Sequence, residues 1–385
     1  MFDTVDLAVF YLARCAEGVK AFERFAKSYK AHPAGQKHQL VIIYKGFTTS
    51  NDMNVARKVF SHIPHKSVVI SDEPFDIGAY LHAAKQVNAT YVCFLNTHTE
   101  ILATGWLTHL HNAIKNPEVG MAGATASFES LYDSFALIVK MVWIAGHNYL
   151  YHSRELANHF EFTLGGETIN WLNAGLKKAN QMPVGKLYNH HAIEAAWNIR
   201  WQGLLLDGQP YDFLRGFPRF PNAHVRSNGF IISRKMLLDF FSNLPHTKQA
   251  AYGFESGPQS LSARVVGQGL KLALVTRSGE VLLQDKWMDS KTFRLRDQSD
   301  LMIADNQTRG FARASDAERR TFAMISWGEG ASEADGGAYP LGLKFDVNAG
   351  LRFGAGDSSE GHYVIDHAFY GALFKPTAAD TIPPP

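Results

Sequence analysis

Three groups of residues in this chain could do chemistry. The first is a polar cluster, Asn96-Thr97-His98-Thr99-Glu100, that follows directly on the apolar run Tyr91–Leu95. In an open α/β sheet, ligands bind just beyond the carboxyl ends of the strands. A buried strand that stops on a run of potential ligands therefore marks a candidate site, although Asn and Thr also simply turn chains. The second group is His224, Arg226 and Asn228, which alternate with Val225, Ser227 and Gly229. On an extended segment, alternation puts all three polar side chains on one face. Such a face suits a hydroxyl-rich ligand or a strand edge in water, and Gly229 lets a ligand approach the backbone closely. The third is an acid, Glu255, in Phe254-Glu255-Ser256-Gly257. Around these stand Arg14 and Lys45, each closing an apolar run, with the charge to hold phosphate or to face water as plain cations. Asp76 either meets a ligand or caps a helix. Trp106 and Trp143 offer faces that stack on a sugar or fill the core.

The elements that must position these residues read as alternating strands and helices. Apolar runs predict strands over 6–12, 39–44, 67–71, 91–95 and 119–123. Helical spacing is read over 17–30, 55–60, 76–86 and from Gly105 onward. Alternation of this kind gives βαβ units and a mostly parallel sheet. Later strands are expected at 229–233 and 271–276, with helices over 234–241 and from Phe254 onward. No G-x-G-x-x-G follows the first strand, and there is no G-x-x-x-x-G-K-[ST] loop, which argues against a dinucleotide fold and a P-loop enzyme.

At 385 residues the chain exceeds one small core. Its 46% hydrophobic and 19% charged content is that of an ordinary globular protein, and a net charge of +2 from scattered basic residues does not call for nucleic acid. The only two cysteines, Cys15 and Cys93, lie in or beside apolar segments, so free thiols in a reducing, cytoplasmic setting are expected. The N-terminal residues do not read as a signal peptide. The apolar stretch Phe135–Gly146 is interrupted by Lys140 and is too short to span a bilayer; a peripheral contact with a membrane stays open.

Three ordered segments carry a family resemblance: FDIGAYLHAAKQVNATYVCFLNTHTEILATGWL (Phe75–Leu107), HVRSNGFIISRKML (His224–Leu237) and YGFESGPQSLSARVVGQGLKLALV (Tyr252–Val275). Together they resemble the inverting family 2-type glycosyltransferases of the GT-A fold. The resemblance implies an α/β fold with an open, mostly parallel sheet flanked by helices, and a reaction that moves a sugar from a nucleoside diphosphate donor to a hydroxyl. With the composition shifts along the chain, it gives a nucleotide-sugar half (1–125) and an acceptor and catalytic half (216–290), separated by a stretch whose helical, Trp-, Tyr- and His-rich character reads as an insertion (126–215) and followed by a polar, Arg-rich, lid-like segment (291–330) and a Gly/Pro-rich tail (331–385). The lid reading rests on Arg294, Arg296, Asp305, Asn306, Thr308 and Arg309, which also suit a solvated surface.

The resemblance also assigns roles. Glu255 matches the family's general base at a helix start. Arg14, Lys45, Asp76, Asn96 and His98 fall where the UDP- or GDP-linked donor is bound. His224, Arg226, Asn228 and Trp106 fall on the side of the glycan or lipid-linked acceptor. One departure is clear: where the family carries Asp-x-Asp for Mg²⁺ or Mn²⁺, this chain has Asn96-Thr97-His98. Either His98 and Glu100 hold Mn²⁺, or cationic side chains balance the diphosphate without a metal. A nucleotidyltransferase and a non-catalytic glycan- or nucleotide-binding module are the alternatives.

Overall fold

The computed structural model describes residues 5–73, 75–131, 216–241, 248–314, 316–328 and 331. Most of the expected helical insertion, Trp143 included, and almost all of the tail lie outside the described residues. The described elements run β1 (Val5–Arg14), α1 (Val19–Ala31), β2 (Gln39–Lys45), α2 (Ser50–Phe60), β3 (Lys66–Ile70), α3 (Asp76–Gln86), β4 (Ala89–Leu95), β5 (Glu100–Ile101), α4 (Trp106–Ile114), β6 (Val119–Gly123) and β7 (Ala126–Ser127). They continue with β8 (His224–Val225), β9 (Phe230–Ser233), α5 (Arg234–Phe240), α6 (Lys248–Ser256), α7 (Leu261–Gly267), β10 (Lys271–Val275), β11 (Val281–Leu283), β12 (Ile303–Ala304), α8 (Asn306–Arg313) and α9 (Asp316–Trp327).

Eight strands form one open sheet in the order β11-β10-β6-β9-β4-β1-β2-β3. All run parallel except β9 and β11. This is the mostly parallel α/β sheet expected from the sequence. It also shows why β1 reads as an unbroken apolar run: Leu7 to Ala13 are all fully buried, because helices cover both faces. On one face Leu7, Val9, Tyr11 and Ala13 join α1, α2 and α4, with Tyr11 stacked on Phe25 at 3.7 Å between ring centroids. On the other, Phe10, Phe94, Tyr80 and Phe230 form an aromatic layer under α3. Each fully buried ring of this kind contributes roughly 1.5–3 kcal/mol.

Local chemistry sets the ends of the elements. α2 begins five residues earlier than its apolar spacing suggests, because the Thr49 hydroxyl accepts from the Asp52 amide and caps it. Ser233 and Ser260 cap α5 and α7 in the same way.

The chain divides into two compact units. One comprises Met1–Ser127 and Asn222–Arg309; the other comprises Phe128–Pro221 and Gly310–Pro385. The first holds the whole eight-stranded sheet, so segments 1–125 and 222–290 are interleaved parts of one body. In the second, the Phe128 amide donates to the Ser326 carbonyl at 2.8 Å and the Phe128 ring meets Trp327 edge-on. The expected lid segment is split between the units, and its first part is a packed wall: Thr292, Phe293, Arg294 and Leu295 are buried. No helix among the described residues is long and apolar enough to cross a membrane.

Candidate functional site at the strand ends

The parallel register brings the ends of β1, β2 and β3 to one edge, pairing Arg14 with Lys45 and Lys45 with Ile70. The loop after β3 then presents Asp72. Arg14 grips that carboxylate through Nε (3.2 Å) and Nη2 (3.3 Å), and Lys45 Nζ donates both to the carboxylate and to the Asp72 carbonyl (3.1 Å). Hydrogen bonding from Arg14, joined by Lys45, holds the Asp72 carboxyl below its ordinary pKa and outweighs its partial burial. Glu17 lies 3.6 Å from Arg14 and, through its other oxygen, 3.4 Å from His98 Nε2. Lys45 is only 1% exposed. Its ammonium is therefore occupied by the Asp72 carboxylate rather than open to solvent.

Asp76 opens α3, but Phe75 occupies the N-cap position. Burial raises the Asp76 pKa, against the opposing pull of Lys45 and Arg14. Among the described residues its carboxylate has no hydrogen-bond partner, so the capping alternative is set aside.

At the end of β4 the chain folds back on itself. The Asn96 side-chain oxygen accepts from the His98 amide (2.9 Å) and from Thr99 Oγ1 (3.3 Å), an Asx turn. Glu100 is engaged by Arg309 Nη1 at 3.3 Å, and Arg309 Nη2 donates to the His98 carbonyl at 3.1 Å. Among the described residues no group of three His, Cys, Asp or Glu side chains is placed to hold a metal ion. The Asn96 amide is locked in a turn and the Glu100 carboxylate is committed to a guanidinium, a donor set poorer in free hard oxygens than an Asp pair.

Glu255 lies in the last turn of α6 rather than at a helix start. The helix dipole there opposes negative charge, so other groups must stabilise the carboxylate. The Ser227 amide (3.0 Å) and hydroxyl (3.1 Å) both donate to Oε1, and Arg226 Nη2 stands 3.8 Å away. Burial alone would raise the Glu255 pKa, but Arg226, His224 and the two Ser227 bonds together carry it below the ordinary carboxylate value. The side chain keeps 19% exposure, and both hydrogen bonds run to the same oxygen.

The next residue joins this carboxylate to the β4 corner. Asn228 Oδ1 accepts from the Asn96 amide (2.9 Å) and from Thr99 Oγ1 (2.7 Å). Asn228 and His224 are buried, with His224 Nδ1 paired to the Asn222 carbonyl, and the Arg226 guanidinium lies over Phe293 at 4.2 Å. His224 and Arg226 act on Glu255, while Asn228 is turned into the β4 corner. Gly229, at φ +69°, has Ile303 and Ala124 where a Cβ would sit, so it serves a tight turn and packing rather than ligand approach. Trp106 is fully buried and cannot stack on a sugar.

Asp72, Glu17 and Ser227 are site residues that the sequence reading missed. Asp72 carried a signal: like Arg14 and Lys45, it is a charged residue at the end of a strand. Ser227 carried none, because its role depends on a helix contributed from elsewhere in the chain. A separate cleft of about 660 Å³ opens at the opposite, amino-terminal ends of β1, β2 and β3, bordered by Asp6, Lys37, His38 and Lys66. It is remote from this chemistry.

No family model and no curated protein matches the sequence. Among solved structures, the chain is similar to S. aureus TarS residues 1–349, at 13% identity and a TM-score of 0.25, over 31% of this chain and 34% of that one. A second S. aureus TarS crystal structure matches at 13% identity and a TM-score of 0.26, over 31% of this chain and 21% of that one. The match thus covers only about a third and a fifth of these two structures' lengths, and a likeness at this level carries no argument about activity.

Proposed function

We propose that this protein is a glycosyltransferase that moves a sugar from a nucleoside diphosphate sugar to a hydroxyl of a glycan or lipid-linked acceptor, with inversion. The observation that carries this reading is the Ser227–Asn228 step. Ser227 holds the Glu255 carboxylate and Asn228 holds the Asn96 corner, so a part-exposed base and the strand-end crevice belong to one hydrogen-bonded frame.

In this reading the acceptor oxygen attacks the anomeric carbon from the face opposite the leaving diphosphate. The C1–O bond to phosphate breaks, its electron pair leaves with the diphosphate, and the acceptor proton passes to Glu255. A carboxylate with a lowered pKa is fully ionised but weakly basic. Proton transfer therefore comes late, once bond-making to the anomeric carbon has made the acceptor hydroxyl acidic.

Turnover of a panel of UDP- and GDP-sugars, with and without Mn²⁺, tests the reading. Glu255→Gln should lower turnover by about 10²–10⁴-fold while nucleotide binding persists. Equal turnover in both proteins removes Glu255 from its role. The Glu100–Arg309 pairing and the Asn96 turn favour a second reading, a non-catalytic nucleotide- or glycan-binding module. Nucleotide binding by the wild-type chain with no turnover of any donor selects it.

A further inference from the structure

We propose that Asp72 is the specificity gate of the donor corner: its carboxylate occupies the Arg14–Lys45 cation pair, and a ligand gains those cations only by bringing a diphosphate that exchanges with it. The proposal rests on the phosphoryl-ligand part of the reading above and is independent of Glu255.

The geometry builds the gate from three strand ends. Register sets Arg14 beside Lys45 and Lys45 beside Ile70, and Asp72 follows two residues later. A buried ammonium needs an anion. Lys45 finds it in Asp72, whose side chain is 50% exposed, so the carboxylate stands between the buried cation and the open side of the corner. The fold makes room for it. Gly46, at φ +75°, lacks the Cβ that would lie 3.1 Å from Asp72 Cβ, Cγ and Oδ1. Arg14 adds a two-pronged grip on the same carboxylate and keeps one-third of its own side chain exposed.

An uncharged nucleoside brings nothing to replace a carboxylate held by two cations. A diphosphate does, because its several charged oxygens accept from a guanidinium fork and an ammonium at once. Glu17 and Asp76 stand in the same electrostatic field. They repel surplus anions unless both cations are released to the newcomer, which widens the preference for diphosphate over monophosphate.

The test is calorimetric titration of the full chain with inorganic pyrophosphate, UDP, UMP and uridine, for wild type, Asp72→Asn and Asp72→Ser. With the competing charge removed, pyrophosphate should bind about tenfold more tightly, and the UDP-to-UMP affinity ratio should narrow. Pyrophosphate binding that is absent, unchanged or weaker in both variants overturns the proposal, as does loss of the folded state in both, since either outcome makes Asp72 a structural tie or a direct ligand contact. Tighter pyrophosphate binding in Asp72→Asn, combined with unaltered turnover in Glu255→Gln, leaves the gate standing while removing the base assignment.

Discussion

The proposed transfer needs Glu255 ionised at neutral pH, and Arg226, His224 and Ser227 keep it so without a helix N-terminus. Because its folded pKa lies below the ordinary 4.5, transfer activity should hold as pH falls through 5 and decline only under that value, which a pH–rate profile reads directly. The sign for stability is the same. The ionised form is favoured in the folded state, so its contribution is complete above the unfolded carboxylate's pKa and is lost as pH falls through the lower folded one. Asn228 makes a sharper prediction. Its removal leaves the Asn96 amide without its acceptor and the Thr99 hydroxyl with only its longer bond to Asn96, so Asn228→Ala should lose about 1–3 kcal/mol in urea unfolding. The full burial of Trp106 predicts that Trp106→Ala costs about 3–5 kcal/mol, seen as a lower Tm, without the selective loss of acceptor binding that sugar stacking would require. Residue types flagged the candidates in this region, but the sequence did not say which face inward: Asn228 and His224 read equally well as open contacts, and only Trp106 reads more readily as core.

Elements act here through their ends. β1, β2 and β3 are legible from apolar runs, and their parallel pairing follows from the intervening helices. The charged corner is thus a consequence of register. The loop after β11 is different. Arg294, Arg296 and Gln298 all take left-handed backbone conformations, at φ 51°, 53° and 55°, each costing on the order of 1–3 kcal/mol. Gln298 restrains that loop by accepting from the Arg294 amide (3.1 Å) and donating to the Thr308 carbonyl (2.9 Å). The loop in turn sets Phe293 under the Arg226 guanidinium that faces Glu255. Gln298→Ala should therefore lower stability by about 1–2 kcal/mol in thermal melts. Read as sequence, this stretch suggested a lid or a solvated face, because its arginines are polar by type; Arg294 is buried by packing that composition does not encode.

At the scale of the whole molecule, the two halves of the resemblance are not separable bodies. β9 runs antiparallel between β4 and β6, so residues 230–233 complete a sheet whose other central strands come from the first 123 residues. A fragment ending at residue 125 would leave the facing edges of β4 and β6 without their shared partner. It should show no cooperative unfolding transition by circular dichroism, whereas the full chain should. The same insertion explains the site. It carries Ser227 and Asn228 to the end of β4, and α6 then supplies Glu255.

The sequence by itself determined the periodic part of this protein: the alternating strands and helices, the mostly parallel sheet, and the charged or polar residues waiting where strands end. These are local properties, written in apolar spacing and capping chemistry within a few residues. Tertiary structure alone decided that Asp72 faces Arg14 and Lys45, that Arg309 takes Glu100, and that Glu255 is held by Ser227 from the far side of a helix end. Such pairings depend on register and on segments 27 to 209 residues apart, and the free energy of a charge depends on which partner arrives, information that no single stretch of chain contains.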